Sequence, residues 1–278
     1  MTTAHLETWK EFCLEVDRIL EESATASPRP FYPTLFRGLG DENWRLETTL
    51  ERWCDREKLD FPTLKRYYQV ALASKPTLES FTKRKWRRIP NLPRFHKLIE
   101  DRSLTWLDMK MNPHPPIWEY FAYLRHCGLP SPLLDWTVSP YVAAFFALSE
   151  PPANSSRVAV VVLRSGPNFG GSSDAHLFVV GPYIGTHARH FLQKSRYSIC
   201  TRFDDADGDY QFVRQEDGLE QGLAPYGEIR KLTLPIAERT IALRHLDAMN
   251  ISEFSLYGSE DSLVRDTGRR ELFRVCSE

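Results

Sequence analysis

Polar side chains with chemical potential, among them His126, Asp135, Trp136, Thr137 and Ser139, interrupt the apolar sequence from Leu124 to Ala147. His126 has an ordinary pKa near physiological pH and can serve as general base, orienting group or hydrogen-bonding partner. Asp135 follows two leucines, so its carboxylate enters an apolar neighbourhood where it needs a partner. Ser139 is a good N-cap, Pro140 suits the first helical position, and Val142 to Ala147 is apolar and helix-compatible. The polar groups from Asp135 to Ser139 therefore crowd a helix N-terminus, whose free N–H groups and partial positive charge favour anions such as phosphate. Two readings stay open for this stretch: a ligand site, or an N-capping loop, which by itself needs only one of these groups.

Arg37, in Phe36-Arg37-Gly38, can clamp a phosphate or carboxylate through its guanidinium fork, with Gly38 letting a ligand approach the backbone. The plainer alternative is a surface arginine at a strand end. Lys83, Arg84, Lys85, Trp86, Arg87 and Arg88, followed by Arg94, His96, Lys97 and Arg102 and flanked by Phe81 and Phe95, mix phosphate-binding charge with rings on which bases can stack. That pattern suggests RNA or DNA as partner, against the alternative of a solvated basic helix face. His187 and His190 stand at i and i+3 without a third ligand at metal spacing, so no metal is expected. The glycines form neither a dinucleotide fingerprint nor a P-loop, and no Gly-x-Ser-x-Gly elbow occurs, which disfavours dehydrogenase, kinase and hydrolase readings.

The elements that must position these residues follow from periodicity and punctuation. Leu6, Trp9, Phe12, Cys13, Val16, Ile19 and Leu20 recur at helical spacing and predict an amphipathic helix over 5–22, broken by Ser23 to Pro33. Tyr32 to Gly38 reads as a short strand and Gly40 to Arg45 as a loop. Residues 60–112 read as helices punctuated by Pro76, Pro90 and Pro93, a helical insertion closed by Pro113 to Pro116. Trp118 to His126 is a further helix, stopped by Gly128 and Pro130. From residue 157 the pattern turns to β, with strands expected at Val158–Leu163, Leu177–Val180, Tyr197–Arg202, Tyr210–Val213 and Ile229–Leu234, a connector over Gly166–Ser173 and a helix over Ala237–Met249.

With 278 residues, 42% of them hydrophobic, the chain can bury a substantial core. A net charge of −1 argues against a uniformly basic nucleic-acid binder and leaves local patches to be judged separately. The five scattered cysteines lack any C-x-x-C spacing, which fits a reducing cytoplasm. The first ten residues lack a basic start followed by an apolar core, and the longest aliphatic run is far too short to span a bilayer, so neither secretion nor membrane insertion is expected.

Phe36-Arg37-Gly38, then His126-Cys127-Gly128-Leu129-Pro130-Ser131-Pro132-Leu133-Leu134-Asp135-Trp136-Thr137 leading into Ser139-Pro140, resembles the FRG domain family over about residues 30–200. The family usually carries an arginine where Ser131-Pro132 stand and a Gln-x-Gly where this chain has Gln193-Lys194-Ser195. The resemblance implies a bacterial or phage-related cytoplasmic domain. The order of an arginine on an early strand, a Ser/Thr segment opening an Ala-rich helix, and a Gln or Glu on a later strand is similar to that of ADP-ribosyltransferases. That likeness implies an α+β fold with a mixed β core, flanking helices and a helical insertion at about 60–116, the N-terminal helix over 1–30 and the core domain over 31–278. It further implies NAD as substrate, with Arg37 and Gly38 at its phosphates, Trp136, Thr137 and Ser139 around the nicotinamide ribose, and Asp135, Gln193, Glu216 and His126 as candidates for the reacting centre.

Two functions from different classes result. One is an NAD-dependent ADP-ribosyltransferase, a toxin or phage-defence effector modifying nucleic acid, with RNA favoured and an antitoxin or inhibitor protein as partner. The other is a non-catalytic module that binds nucleic acid or protein, in which the Asp-Trp-Thr cluster is a capped corner. Convergence of Arg37, His126, Asp135 and Thr137 on one cleft separates the first from the second.

Overall fold

The computed structural model describes residues 1–26, 33–101, 116–164, 175–181, 184–222 and 228–276. Its first half runs β1 (Thr2–His5), α1 (Trp9–Ala26), β2 (Leu35–Leu39), α2 (Thr49–Glu57), α3 (Leu64–Thr82), α4 (Leu92–Glu100), α5 (Pro116–His126), β3 (Leu134–Thr137) and α6 (Pro140–Ser149). The second half continues with β4 (Arg157–Arg164), β5 (His176–Val180), α7 (Ala188–Leu192), β6 (Ser195–Asp204), β7 (Asp209–Phe212), α8 (Gln215–Gly222), β8 (Glu228–Pro235), α9 (Arg239–Ala248), α10 (Glu253–Tyr257) and α11 (Glu260–Val275).

The strands form one mixed sheet in the order β1-β8-β4-β2-β3-β6-β5, with β7 added to the far end of β6. All pairings are antiparallel except β1 with β8. This is the expected α+β class. β4 lies deep in the sheet and is apolar on both sides: Val158, Val160 and Val162 pack with Phe36, Leu232 and Leu234 under α1, α6 and α9, while Ala159, Val161 and Leu163 join Leu35, Leu39, Leu134 and Trp136 on the other face. A continuous apolar run is what a strand covered on both faces requires.

A third cluster joins Tyr67, Tyr68, Phe95, Trp86, Tyr120 and Phe121 from the helical half to Tyr197, Ile199 and Phe212 of the sheet. The described part of the expected helical insertion, residues 60–101, holds the helices α3 and α4, and both contribute to this cluster. The last residues of the insertion, 102–112, together with 113–115 and the Gly166–Ser173 connector, lie outside the described residues.

Several elements depart from the expectations. α1 starts at Trp9, because Thr2–His5 is a strand that adds in parallel to β8, with His5 Nδ1 hydrogen-bonded to Thr233 Oγ1 at 3.0 Å. The four residues Thr-Thr-Ala-His are too short a run to show strand periodicity of their own. The expected strands at 158–163, 177–180, 197–202, 210–213 and 229–234 are all present within a few residues, as is the helix near 237–249.

Gly38 overturns one reading. A Cβ built there would sit 2.1 Å from the Ala143 carbonyl oxygen and 2.6 Å from the Ala147 nitrogen, both backbone atoms of α6. The missing side chain lets α6 lie directly on β2, and no ligand is needed to explain it. Gly38→Ala is expected to lower stability by about 1–3 kcal/mol through overpacking. The check is a reduced urea midpoint at unchanged m-value; an unchanged midpoint would show that α6 does not rest on this glycine.

Candidate anion-binding site

α5 ends where Gly128 turns with φ 96°, and its last turn delivers Arg125 and His126 beside β3. Arg125 donates from Nε and Nη2 to the two carboxylate oxygens of Asp135, a bidentate fork, and from Nη1 to Thr49 Oγ1 at 2.9 Å. Thr49 Oγ1 also accepts from Ser131 N at 2.9 Å, tying α2 to the loop between α5 and β3. The Arg125 side chain is 9% exposed and that of Asp135 39%, so the carboxylate has one side open to solvent. Burial works to raise the Asp135 pKa, but the Arg125 charge and hydrogen bonds, with Arg37 and His126 behind them, hold it below the usual carboxylate range. Asp135 is an anchored anion, poorly suited to accept a proton.

Arg37 reaches this cluster from β2 through a gap in the sheet. β2 and β3 share a single pair, Phe36 with Thr137, and beyond it the strands part. Continuing the register would set Gly38 opposite Asp135; instead, Arg37 Nη1 donates to the Asp135 carbonyl at 2.8 Å. Arg37 Nε is buried without a hydrogen-bond partner. Burial pulls the Arg37 pKa down to about 10, so the side chain stays charged at neutral pH. Arg52 also feels Arg125 and Asp135, whereas the Glu51 carboxylate is occupied by Thr48 N and Gln215 N. Arg37, Arg125 and Arg52 surround Asp135, with Glu51 and Glu47 also acting on Arg52, and a buried guanidinium N–H without an acceptor is costly unless an anion or water completes it.

His126 Nε2 meets the Tyr197 hydroxyl at 2.8 Å, and His190 Nδ1 meets the same hydroxyl at 3.0 Å. With one proton, Tyr197 donates to one imidazole and accepts from the other. Burial, reinforced by Arg125, His187 and His190 against the opposing pull of Asp135, pushes the His126 pKa down to about 4, so the ring is neutral at pH 7.

Arg37, His126 and Asp135 therefore come together. The remaining candidates do not join them in the same way. Thr137 and Trp136 are buried at the edge of the cluster and already engaged: Thr137 Oγ1 accepts from Ser139 N at 3.0 Å, and Trp136 Nε1 donates to Ser198 Oγ at 2.8 Å, which donates on to Gln215 Oε1 at 2.8 Å. Ser139 caps α6 as expected, accepting from Val142 N at 3.3 Å. Gln193 lies just ahead of β6, the neighbour of β3, with Val138 N bonded to Lys194 O; its amide donates to Leu256 O at 3.2 Å. Glu216 is held elsewhere, by Arg45 Nε at 2.6 Å and Leu46 N at 3.3 Å.

In the basic segment, Lys83, Lys85, Arg87 and Arg88 are exposed, but Trp86 is 6% exposed and belongs to the core beside Tyr120 and Tyr123, so it is no platform for bases. Phe95 is buried as well, whereas Phe81 is 86% exposed. Arg84 stacks over Trp86 at 4.0 Å and donates to Gly185 O at 2.7 Å.

Sequence reasoning missed Arg125, Tyr197 and Thr49. The need of Asp135 for a partner was visible; which of many arginines supplies it was not, because ten residues and a tight turn separate Arg125 from Asp135. Asp135→Asn leaves Arg125 without its counter-charge and is expected to cost about 2–3 kcal/mol, below the 3–5 of a fully buried pair because the carboxylate reaches solvent; chemical denaturation reads it. His126 takes up no proton until pH approaches 4, whereas in the unfolded chain it does so near 6.5. The stability this confers is present above about pH 6.5 and drains as pH falls toward 4. His126→Gln is expected to flatten the decline of Tm over that window; an unaltered slope would contradict a buried neutral imidazole.

Comparison with protein-family models matches residues 32–156 to the FRG domain. No curated protein and no solved structure matches the chain. The matched segment, which is similar to the FRG domain family, holds Arg37, Arg125, His126, Asp135 and the capped start of α6.

Proposed function

We propose that this protein uses NAD as substrate and transfers ADP-ribose to nucleic acid, RNA before DNA. The observation that carries the reading is the order of three adjacent strands: β2 with Arg37, β3 leading into the Thr137 and Ser139 corner, and β6 with Gln193 just before it. ADP-ribosyltransferases, which this chain resembles in element order, use an arginine, a Ser/Thr helix start and a later-strand Gln or Glu. Here the strands that carry or border them are neighbours in the sheet.

The parts divide the work. Arg37, with its unpartnered Nε, receives the pyrophosphate. Asp135 positions Arg125 and, through its carbonyl, Arg37. Thr137 and Ser139 hold the corner at which α6 begins. Gln193 is the nearer candidate for the nicotinamide ribose, because Lys194 beside it bonds Val138 at the end of β3, whereas Glu216 is held by Arg45. In the transfer, the bond from the ribose C1′ to nicotinamide breaks, the ring nitrogen keeps the electron pair, and nicotinamide leaves neutral. An oxygen or nitrogen of the acceptor bonds to C1′ and gives up its proton to water.

The acceptor is drawn by Lys83, Lys85, Arg87 and Arg88, with exposed Phe81 as a stacking ring. Arg84 links this loop to Gly185, and His187 two residues on has its ring 6.0 Å from that of His126, so the loop borders the cluster. All five cysteines are free and no described helix is long and apolar enough to cross a membrane, which fits a cytoplasmic toxin or phage-defence effector kept in check by an inhibitor protein.

Purified protein incubated with labelled NAD and separate pools of RNA, DNA and protein is expected to label RNA. Arg37→Ala should abolish labelling, and neutralising Lys83, Lys85, Arg87 and Arg88 should cut transfer to RNA and flatten its salt dependence. Absence of label in every pool, with the protein folded, would leave the binding-module reading, for which the fully engaged Trp136 and Thr137 speak.

A further inference from the structure

α11 carries a feature that its own chain does not explain. Gly268 sits in the middle of a 16-residue helix, where glycine weakens the helix, and a Cβ built there would meet nothing within 4 Å. Among the described residues no neighbour needs the space. The residues around it repeat in reverse with charge exchanged: four positions either side stand Val264 and Leu272, and three positions either side stand Arg265 and Glu271.

These positions share the face of Gly268, since residues three and four apart on a helix are neighbours. The face is open: Val264 is 67% exposed, Leu272 65% and Val275 61%, and Arg265 and Glu271 are exposed as well. The opposite face, with buried Ser262 and Asp266, is the one turned to the body.

We infer that α11 pairs antiparallel with α11 of a second copy of this chain, about a two-fold axis passing at Gly268. An antiparallel pair sets Val264 of each copy against Leu272 of the other, and Arg265 against Glu271, both twice. It also brings the acidic first turn, Glu260 and Asp261, toward Arg274 at the other end. The two glycines meet at the crossing and let the backbones approach. A parallel pairing would oppose like charges instead. Arg265 already bonds Glu253 within its chain and Arg274 bonds Glu271, so the interchain pairs extend existing charge networks. A single helix pair covers less than a standard interface, so the dimer is concentration-dependent.

Light scattering after size exclusion at about 100 µM, a concentration suited to a small interface, is expected to show twice the chain mass. Gly268→Leu should return the monomer while melting no lower than wild type, because leucine favours the helix. For geometry, exposed Cys127 and Cys276 are changed to Ser, and Val264→Cys and Leu272→Cys proteins are oxidised alone and mixed. Disulfide dimers are expected only in the mixture, since the two copies of position 264 lie eight residues, about 12 Å, apart along the pair. A monomer at that concentration, a Gly268→Leu dimer, or cross-linking of Val264→Cys to itself would overturn the proposal.

Discussion

The bidentate contact between Arg125 and Asp135 is the interaction on which the centre of this structure depends. It ties the last turn of α5 to β3, and through Thr49 Oγ1 it also fixes α2 and the intervening loop. Two charges in a largely buried place are costly unless each is matched, and here the geometry matches them closely. Because Asp135 is thus anchored, its carbonyl is held where Arg37 can reach it across the gap between β2 and β3. The sheet forgoes ladder pairing beyond Phe36 and Thr137 and gains a charged cluster in its middle.

The same contact defines what the cluster can do. A carboxylate held low and engaged by arginine is a positioning group, and the neutral His126, bonded to Tyr197, is a hydrogen-bonding and orienting group. A buried guanidinium with an unpartnered Nε suits a ligand bearing phosphate, which is what the proposed pyrophosphate binding rests on.

Much of the frame was legible in sequence, for physical reasons that differ by element. The β4 run announces a strand covered on both faces, and Ser139-Pro140 announces the start of α6, since capping chemistry is local. Arg37 and Asp135 stood out as polar groups in apolar surroundings, but their convergence rests on sheet order, which periodicity does not encode. Gly38 illustrates the limit: its need for space was readable, whereas the body filling that space, α6, depends on how a helix a hundred residues later lies across the strand. Trp86 misled for a related reason. Its basic neighbours point outward, and only the packing of α3 against α5 shows that its ring faces in.

The central claim is that Arg37 receives an anionic ligand. The most direct measurement follows the Arg37 side-chain Nε–H resonance by nitrogen-15 NMR, assigned with Arg37→Lys, while NAD is added to the whole protein. A saturable downfield shift of that resonance, together with smaller shifts at Arg125 and His126, is the expected result, because the buried, unpartnered Nε–H of Arg37 gains a charged acceptor. An Arg37 Nε–H resonance that does not move while NAD saturates other resonances would contradict it.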